Sequence, residues 1–288
     1  REYRRYYPEG EIFGHVLGFT DVDDNGQEGM ELAYNDWLSG QSGSKRVVKD
    51  RLGQIIAIEE QIAASQPGNV LTLSLDRRVQ YLAYKALKEA YKKNKAKSAS
   101  IVVMDIETGD VIAMANQPAF NPNNLQDRKS GLYRNRAITD LFEPGSTMKP
   151  FAIAAALDSG RYTPQTQIAT GDGWFMVAGK TIRDTHAHGT IDVSTVLQKS
   201  SNVGTAKIAL SLPKRLLWDT YYSFGLGSDT GSGFPGESAG RLVRPHRVSD
   251  IEQATLAFGY GVSVTNLQLA NAYSIIAVRV RKNRLAFY

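Results

Sequence analysis

The sequence predicts a mixed α+β protein, with a small β-rich segment at residues 1–66 ahead of a larger domain of helices and sheet at residues 67–288. Three observations predict it. Short apolar stretches alternate with turn signals up to about residue 65, and two apolar runs joined by Glu107-Thr108-Gly109-Asp110 read as a β-hairpin. From Ser146 onward, apolar residues recur mostly at helical spacing.

In the first segment Asp24-Asn25-Gly26, Gly40, Gly43 and Gly53 punctuate the apolar stretches, which predicts strands and turns with one short helix around Glu28 to Trp37. Gln66-Pro67-Gly68-Asn69 breaks the segment and sets the domain boundary near residue 67. Val70 to Leu75 alternates as a strand, and Asp76 then caps a long helix to about Lys95. Ile101 to Asp105 and Asp110 to Ala115 form the hairpin that opens a central sheet, and Gln117 to Asn135 reads as loop. Ser146 to Ser159 carries Ala and Leu at helical spacing and stops before Gly160, placing Ser146 at a helix N-terminus. Further helices are expected at Val193 to Leu210, Lys214 to Phe224, Asp250 to Phe258 and Thr265 toward Ala277.

The 288 residues, 42% apolar and 22% charged, suffice for a substantial core. No apolar run approaches the roughly 18 residues of a membrane-spanning helix. The chain starts at Arg1 with no leader pattern, so any export signal or anchor is expected to lie outside it and the start is expected to be artificial. The absence of cysteine excludes disulfides, thiolate nucleophiles and Cys-ligated zinc. The net charge of +5 includes clusters at Lys85 to Lys97 and Arg279 to Arg284. The first reads as a solvated helix face, and no nucleic-acid partner is expected.

The chemistry concentrates in Phe142-Glu-Pro-Gly-Ser146-Thr-Met-Lys149-Pro150, with Ser200-Ser201-Asn202 downstream. On a helix, Lys149 three positions after Ser146 shares its face, where a neutral amine can take the hydroxyl proton. An ordinary lysine, with a pKa of about 10.4, is protonated at pH 7, so burial or neighbouring positive charge must lower it; the flanking Met148, Pro150 and Phe151 are candidates to desolvate it. The helix N-terminus aims N–H groups at Ser146, so the serine's own amide is a candidate oxyanion donor.

Other matches to these patterns are weaker. Ser42 to Lys45 has the same spacing but lies in a Gly-Ser loop, and Ser211 to Lys214 has Pro213 inside it. Gly236-Glu-Ser238-Ala-Gly240 fits a nucleophile elbow in a glycine-rich stretch, where a turn explains it. Asp21-Val-Asp23-Asp-Asn25-Gly26 resembles the start of a calcium loop, but Leu32 stands where the bidentate glutamate belongs, so it reads as an Asx-type turn. Gly179-Lys180-Thr181 lacks the upstream glycine of a phosphate loop, and Ile182 replaces the glycine of a Lys-Thr-Gly element. His186-Ala-His188 has no clear carboxylate partner; no metal and no cofactor are assigned.

These residues resemble the class B penicillin-binding proteins, the peptidoglycan transpeptidases, and most of all the division-specific enzyme of Gram-negative bacteria, over about residues 1 to 277. Further segments carry the resemblance: Arg1 to Pro8, Gln27 to Glu31, Met104 to Met114, Asn121 to Asn124, Lys199 to Gly204 and Gly259-Tyr260-Gly261. It implies a penicillin-binding, serine β-lactamase-like fold: an antiparallel sheet flanked by helices plus a helical subdomain, after a fragment of a pedestal domain. It implies that Ser146 attacks the penultimate D-alanine carbonyl of a stem peptide, with Lys149 as base. Ser200 relays or positions the proton, and Asn202 hydrogen-bonds the substrate amide. A neighbouring stem-peptide amine then resolves the acyl-enzyme, and β-lactams trap the same serine. Tyr260 matches a position near the cleft, although a core tyrosine fits equally well. The implied partners are stem peptides ending in D-Ala-D-Ala, β-lactams and cell-division proteins including a glycosyltransferase. The implied location is the periplasmic face of the inner membrane.

One departure shapes the expected activity: no Lys-Thr-Gly or Lys-Ser-Gly follows Asn202. The chain is therefore expected to be C-terminally truncated, marginally stable and of little or no activity. Its basic tail, residues 278–288, is expected to suit neither a core strand nor a buried helix, as after a frame change. Two rivals stand beside this reading. A serine β-lactamase would hydrolyse its acyl-enzyme quickly, and a noncatalytic interaction fragment would fold without acylating.

Overall fold

The computed structural model describes residues 5–128 and 130–285, together with their side chains except at positions 125, 130 and 279–285. It divides into two units, Arg1–Ile101 with Val111–Arg136 and Gly233–Pro235, and Val102–Asp110 with Ala137–Ser232 and Gly236–Tyr288.

In the first unit, strands Phe19–Thr20 and Gly26–Glu28 pair antiparallel. The turn between them is an Asx turn, with Asp21 Oδ1 accepting the N–H groups of Asp23 and Asn25 at 2.9 Å each. Gly18 (φ +77°) passes so close to the partner strand that a Cβ there would lie 1.7 Å from Glu28 O, so only glycine fits. The expected single helix is two, Gly29–Ala33 and Asn35–Leu38, broken at Tyr34, whose ψ of 27° is not helical. A further helix, Gly14–Leu17, was not expected. Ser44–Lys49 and Ile55–Ala63 form an antiparallel ribbon exposed on both faces.

Val70 to Leu75 is not a strand. Single side-chain bonds tie it down instead of a ladder: Trp37 Nε1 donates to Val70 O (3.1 Å) and Ser74 Oγ to Val111 O (2.8 Å). The helix that follows, Arg77–Lys93, starts where expected because Asp76 accepts the N–H groups of Arg78 and Val79 at 2.8 and 3.0 Å. Its buried residues Gln80, Ala83, Tyr84 and Leu87 follow one helical stripe.

The second unit carries the expected hairpin turn, closed by Asp105 N–H to Asp110 O at 2.8 Å. Four short strands between 167 and 192 escaped the sequence reading. They pair antiparallel as Gln167–Gly171 with Gly189–Asp192, and Trp174–Val177 with Lys180–Arg183. Among the described residues every sheet has two strands. Helix Lys149–Asp158 is apolar on all sides and lies in the core, where Phe151, Ala152, Ala155 and Ala156 pack with Ile208, Ala209, Leu217 and Tyr221.

Three expected helices differ in detail. Ser146 to Ser159 begins as a 3-10 turn, Gly145–Met148, and becomes α-helical only at Lys149. Val193 to Leu210 is two helices, Val193–Gln198 and Asn202–Ser211, because Asp192 caps the first, Ser201 caps the second, and Ser200 between them takes φ +54°. The last helix, Asn266–Leu285, runs past Ala277 into the basic stretch. Its start has reciprocal bonds, Gln268 N–H to Thr265 Oγ1 and Thr265 N–H to Gln268 Oε1. Residues 1–4 of the segment Arg1 to Pro8, and residues 286–288 of the tail, lie outside the described residues.

Candidate active site

The left-handed Gly145 (φ +59°) turns the chain into the 3-10 segment that carries Ser146. Gly145 N–H donates to Gly259 O at 3.1 Å, tying this turn to the loop that bears Tyr260. Ser146 is exposed, and its hydroxyl has no hydrogen-bond partner among the described residues. As a first-turn residue it also has a backbone N–H that its own helix cannot satisfy.

Lys149 is 1% exposed. Its Nζ donates to Ser200 Oγ at 2.8 Å and to the Ser200 carbonyl. The left-handed Ser200 at the corner between two helices presents both oxygens together, and they hold the amine in place of Ser146, which the spacing had suggested as its partner. Burial pushes the Lys149 ammonium down from its ordinary 10.5 to about 8, and the Asp184 carboxylate opposes that fall. Near neutral pH a fraction of the lysine is therefore the free amine that a base must be.

Asn202 opens the second helix, donating its side-chain amide to Arg183 O at 2.9 Å. Its Oδ1 has no hydrogen-bond partner among the described residues. Tyr260 is 53% exposed and meets Phe258 edge-on at 5.8 Å, so it is not a core tyrosine.

The sequence reading missed Asp184. Its Oδ2 accepts the Ser201 hydroxyl at 2.6 Å, and its Oδ1 accepts the N–H groups of Asn202 and Val203, the latter at 3.0 Å. It acts on the Ser200–Asn202 corner as an N-cap supplied from another segment. No linear signal pointed to it, since it stands 17 residues before Ser201 in a loop with no motif of its own.

The competing patterns gather no comparable group. Ser211 bonds Ile208 O while Lys214 pairs with Asp250 at 2.8 Å. Ser238 lies in an irregular loop between no strand and helix.

Comparison with known proteins follows this geometry. The penicillin binding protein transpeptidase domain matches residues 99–284, and the penicillin-binding protein dimerisation domain matches residues 1–73. The chain is 47% identical over 277 residues to peptidoglycan D,D-transpeptidase FtsI of Escherichia coli (strain K12), covering 96% of this chain and 46% of that protein. It is 44% identical over 278 residues to the probable peptidoglycan D,D-transpeptidase PenA of Neisseria gonorrhoeae, covering 96% and 48%. The crystal structure of penicillin binding protein 3 from Mycobacterium tuberculosis in its apo-form superposes with a TM-score of 0.84 at 32% identity, covering 96% of this chain and 60% of that one. The chain thus spans about half the length of the curated relatives it matches.

Proposed function

The chain belongs to the class B penicillin-binding proteins, and we propose from that membership that it carries the acylation machinery of a peptidoglycan D,D-transpeptidase acting on stem peptides at the division septum. The reading rests on one observation: a buried lysine of lowered proton affinity, hydrogen-bonded to Ser200, three residues after the exposed Ser146.

In this reading Ser146 Oγ attacks the penultimate D-alanine carbonyl while its proton passes toward Lys149, directly or through Ser200. An ester forms, the peptide C–N bond breaks, and the departing D-alanine amine takes the proton. The Ser146 N–H is one donor to the transient oxyanion, Asn202 holds the substrate amide, and Tyr260 borders the cleft. The amine of a second stem peptide then displaces Ser146 and forms the crosslink. β-Lactams acylate the same hydroxyl. The place of action is the periplasmic face of the inner membrane, beside cell-division partners including a glycosyltransferase.

The sequence supplies no Lys-Thr-Gly or Lys-Ser-Gly after Asn202. The rival reading is an interaction module that does not acylate. Intact-protein mass spectrometry after long incubation with a β-lactam separates the two. The expected result is a single adduct, absent in Ser146→Ala and stable for hours. No adduct on a chain shown by circular dichroism to be folded would establish the second reading, and rapid antibiotic turnover would point to a β-lactamase.

A further inference from the structure

Strand Arg241–Leu242 pairs with Val262–Ser263, placing Arg241 opposite Ser263, and the next residue, Val264, exchanges two 3.0 Å backbone bonds with Phe142. Two hydrogen-bonded steps therefore connect Arg241 to the chain that reaches Ser146 four residues after Phe142. After Arg241 the chain turns at Pro245–Arg247, where Arg247 N–H donates to Arg244 O at 3.0 Å. The fold brings the exposed Arg241, Arg244 and Arg247 around one concavity of about 270 Å³ over Leu242 and Val243. No carboxylate lines it. The acids that follow have other partners, Asp250 with Lys214 and Glu252 with Ser249 N–H and Oγ. Among the described residues none of the three guanidinium groups has an ion pair or side-chain hydrogen bond. Arg241 and Val243 also line a second concavity of about 180 Å³ that reaches Tyr260; its own carboxylates, Glu143 and Glu252, accept from Gly261 N–H and from Ser249.

Three forked donors of like charge crowd one groove that contains no neutralising group, an arrangement that favours an anion able to accept paired hydrogen bonds. We infer that this groove is a subsite for the carboxylates of a peptide chain, anchoring it beside Tyr260 on the approach to Ser146. The inference rests on the transpeptidase reading, whose substrate is a peptide, and specifies which of its groups this surface holds. Peptide carboxylate is favoured over phosphate because the groove shares Arg241 and Val243 with the concavity that reaches Tyr260, so an extended ligand can occupy both.

The test is fluorescence anisotropy with a fluorescein-labelled peptide bearing two free carboxylates, against its bis-amidated analogue, using the whole chain. The carboxylate peptide should bind at least about tenfold more tightly than the amide, and Arg244→Gln/Arg247→Gln should erase that preference while added salt weakens it. Lys92→Gln/Lys93→Gln, an equal loss of charge on helix Arg77–Lys93, whose residues do not line the groove, should change nothing. Equal binding of the two peptides, or an unchanged preference in the arginine variant, overturns the inference. So does displacement of the peptide by millimolar inorganic phosphate, or tighter binding to phosphatidylglycerol vesicles than to the peptide. The β-lactam adduct of the unaltered chain is scored separately. Carboxylate binding without an adduct would sink the acyl-transfer reading alone, and an adduct without carboxylate preference would sink the groove alone.

Discussion

Lys149 Nζ lies 2.8 Å from Ser200 Oγ and also bonds the Ser200 carbonyl, so the corner between two helices engages the lysine that follows the exposed Ser146. With its pKa near 8, about a tenth of Lys149 is neutral at pH 7 and about half at pH 8. The rate of β-lactam adduct formation, followed by mass spectrometry, should climb from about pH 6.5 and level off above about 9. Lys149→Arg should give no adduct at any of these pH values, because a guanidinium keeps its proton.

The same lysine makes folding stability depend on pH. Its folded pKa lies below the unfolded value of 10.5, so the unfolded chain binds more protons between about 8 and 10.5, and stability rises with pH across that window. Urea midpoints at pH 7.5 and 10 should show a rise in the parent chain that Lys149→Met reduces.

Asp184 couples the corner's geometry to its electrostatics. Asp184→Ala removes the acceptor of the Ser201 hydroxyl and of two N–H groups, a loss of roughly 1–3 kcal/mol. It also removes the charge that supports the Lys149 ammonium, so burial acts unopposed. The pH profile of acylation should begin at lower pH while its plateau falls. A lower plateau with an unmoved onset would show that the carboxylate acts on geometry alone.

Gly259 holds the nucleophile turn at a distance no side chain allows. A Cβ there would stand 2.0 Å from Gly145 O, and its φ of +87° is one that L residues rarely adopt. Gly259→Ala should lower the melting temperature and abolish the adduct together. Gly261→Ala has an open Cβ position and should cost only the strain of its φ of +80°, on the order of 1 kcal/mol.

These contrasts mark what the sequence could reveal. Asp76 announced its helix because a cap acts within three residues. The break at Ser200 was hidden, since Val193 to Leu210 has continuous helical periodicity, and the left-handed residue is held by Lys149 while Asp184 holds Ser201 and the two N–H groups after it. The four strands between 167 and 192 are four or five residues long, too short for alternation to stand out. Val70 to Leu75 shows the opposite failure: its alternation was clear, but no neighbouring strand pairs with it. Ser146 and Lys149 were legible as a pair by spacing, whereas the atom Lys149 touches was decided 51 residues away.

His15 supplies the last prediction, in the first unit. The ring is 5% exposed, packs edge-on against Phe120 at 5.1 Å, and has Nε2 2.8 Å from Leu132 O. The carbonyl accepts, so the neutral ring carries its proton on Nε2. Burial holds its pKa at about 4, well below the ordinary 6.5. Between about 4 and 6.5 the unfolded chain binds the extra proton, so stability is lost as the pH falls through that window, by up to about 3 kcal/mol. Urea denaturation at pH 7 and 4.5 should show the loss, and His15→Gln, which keeps a donor for Leu132 O without a titrating group, should reduce it. An equal loss in His15→Gln would assign the acid sensitivity to the carboxylates instead.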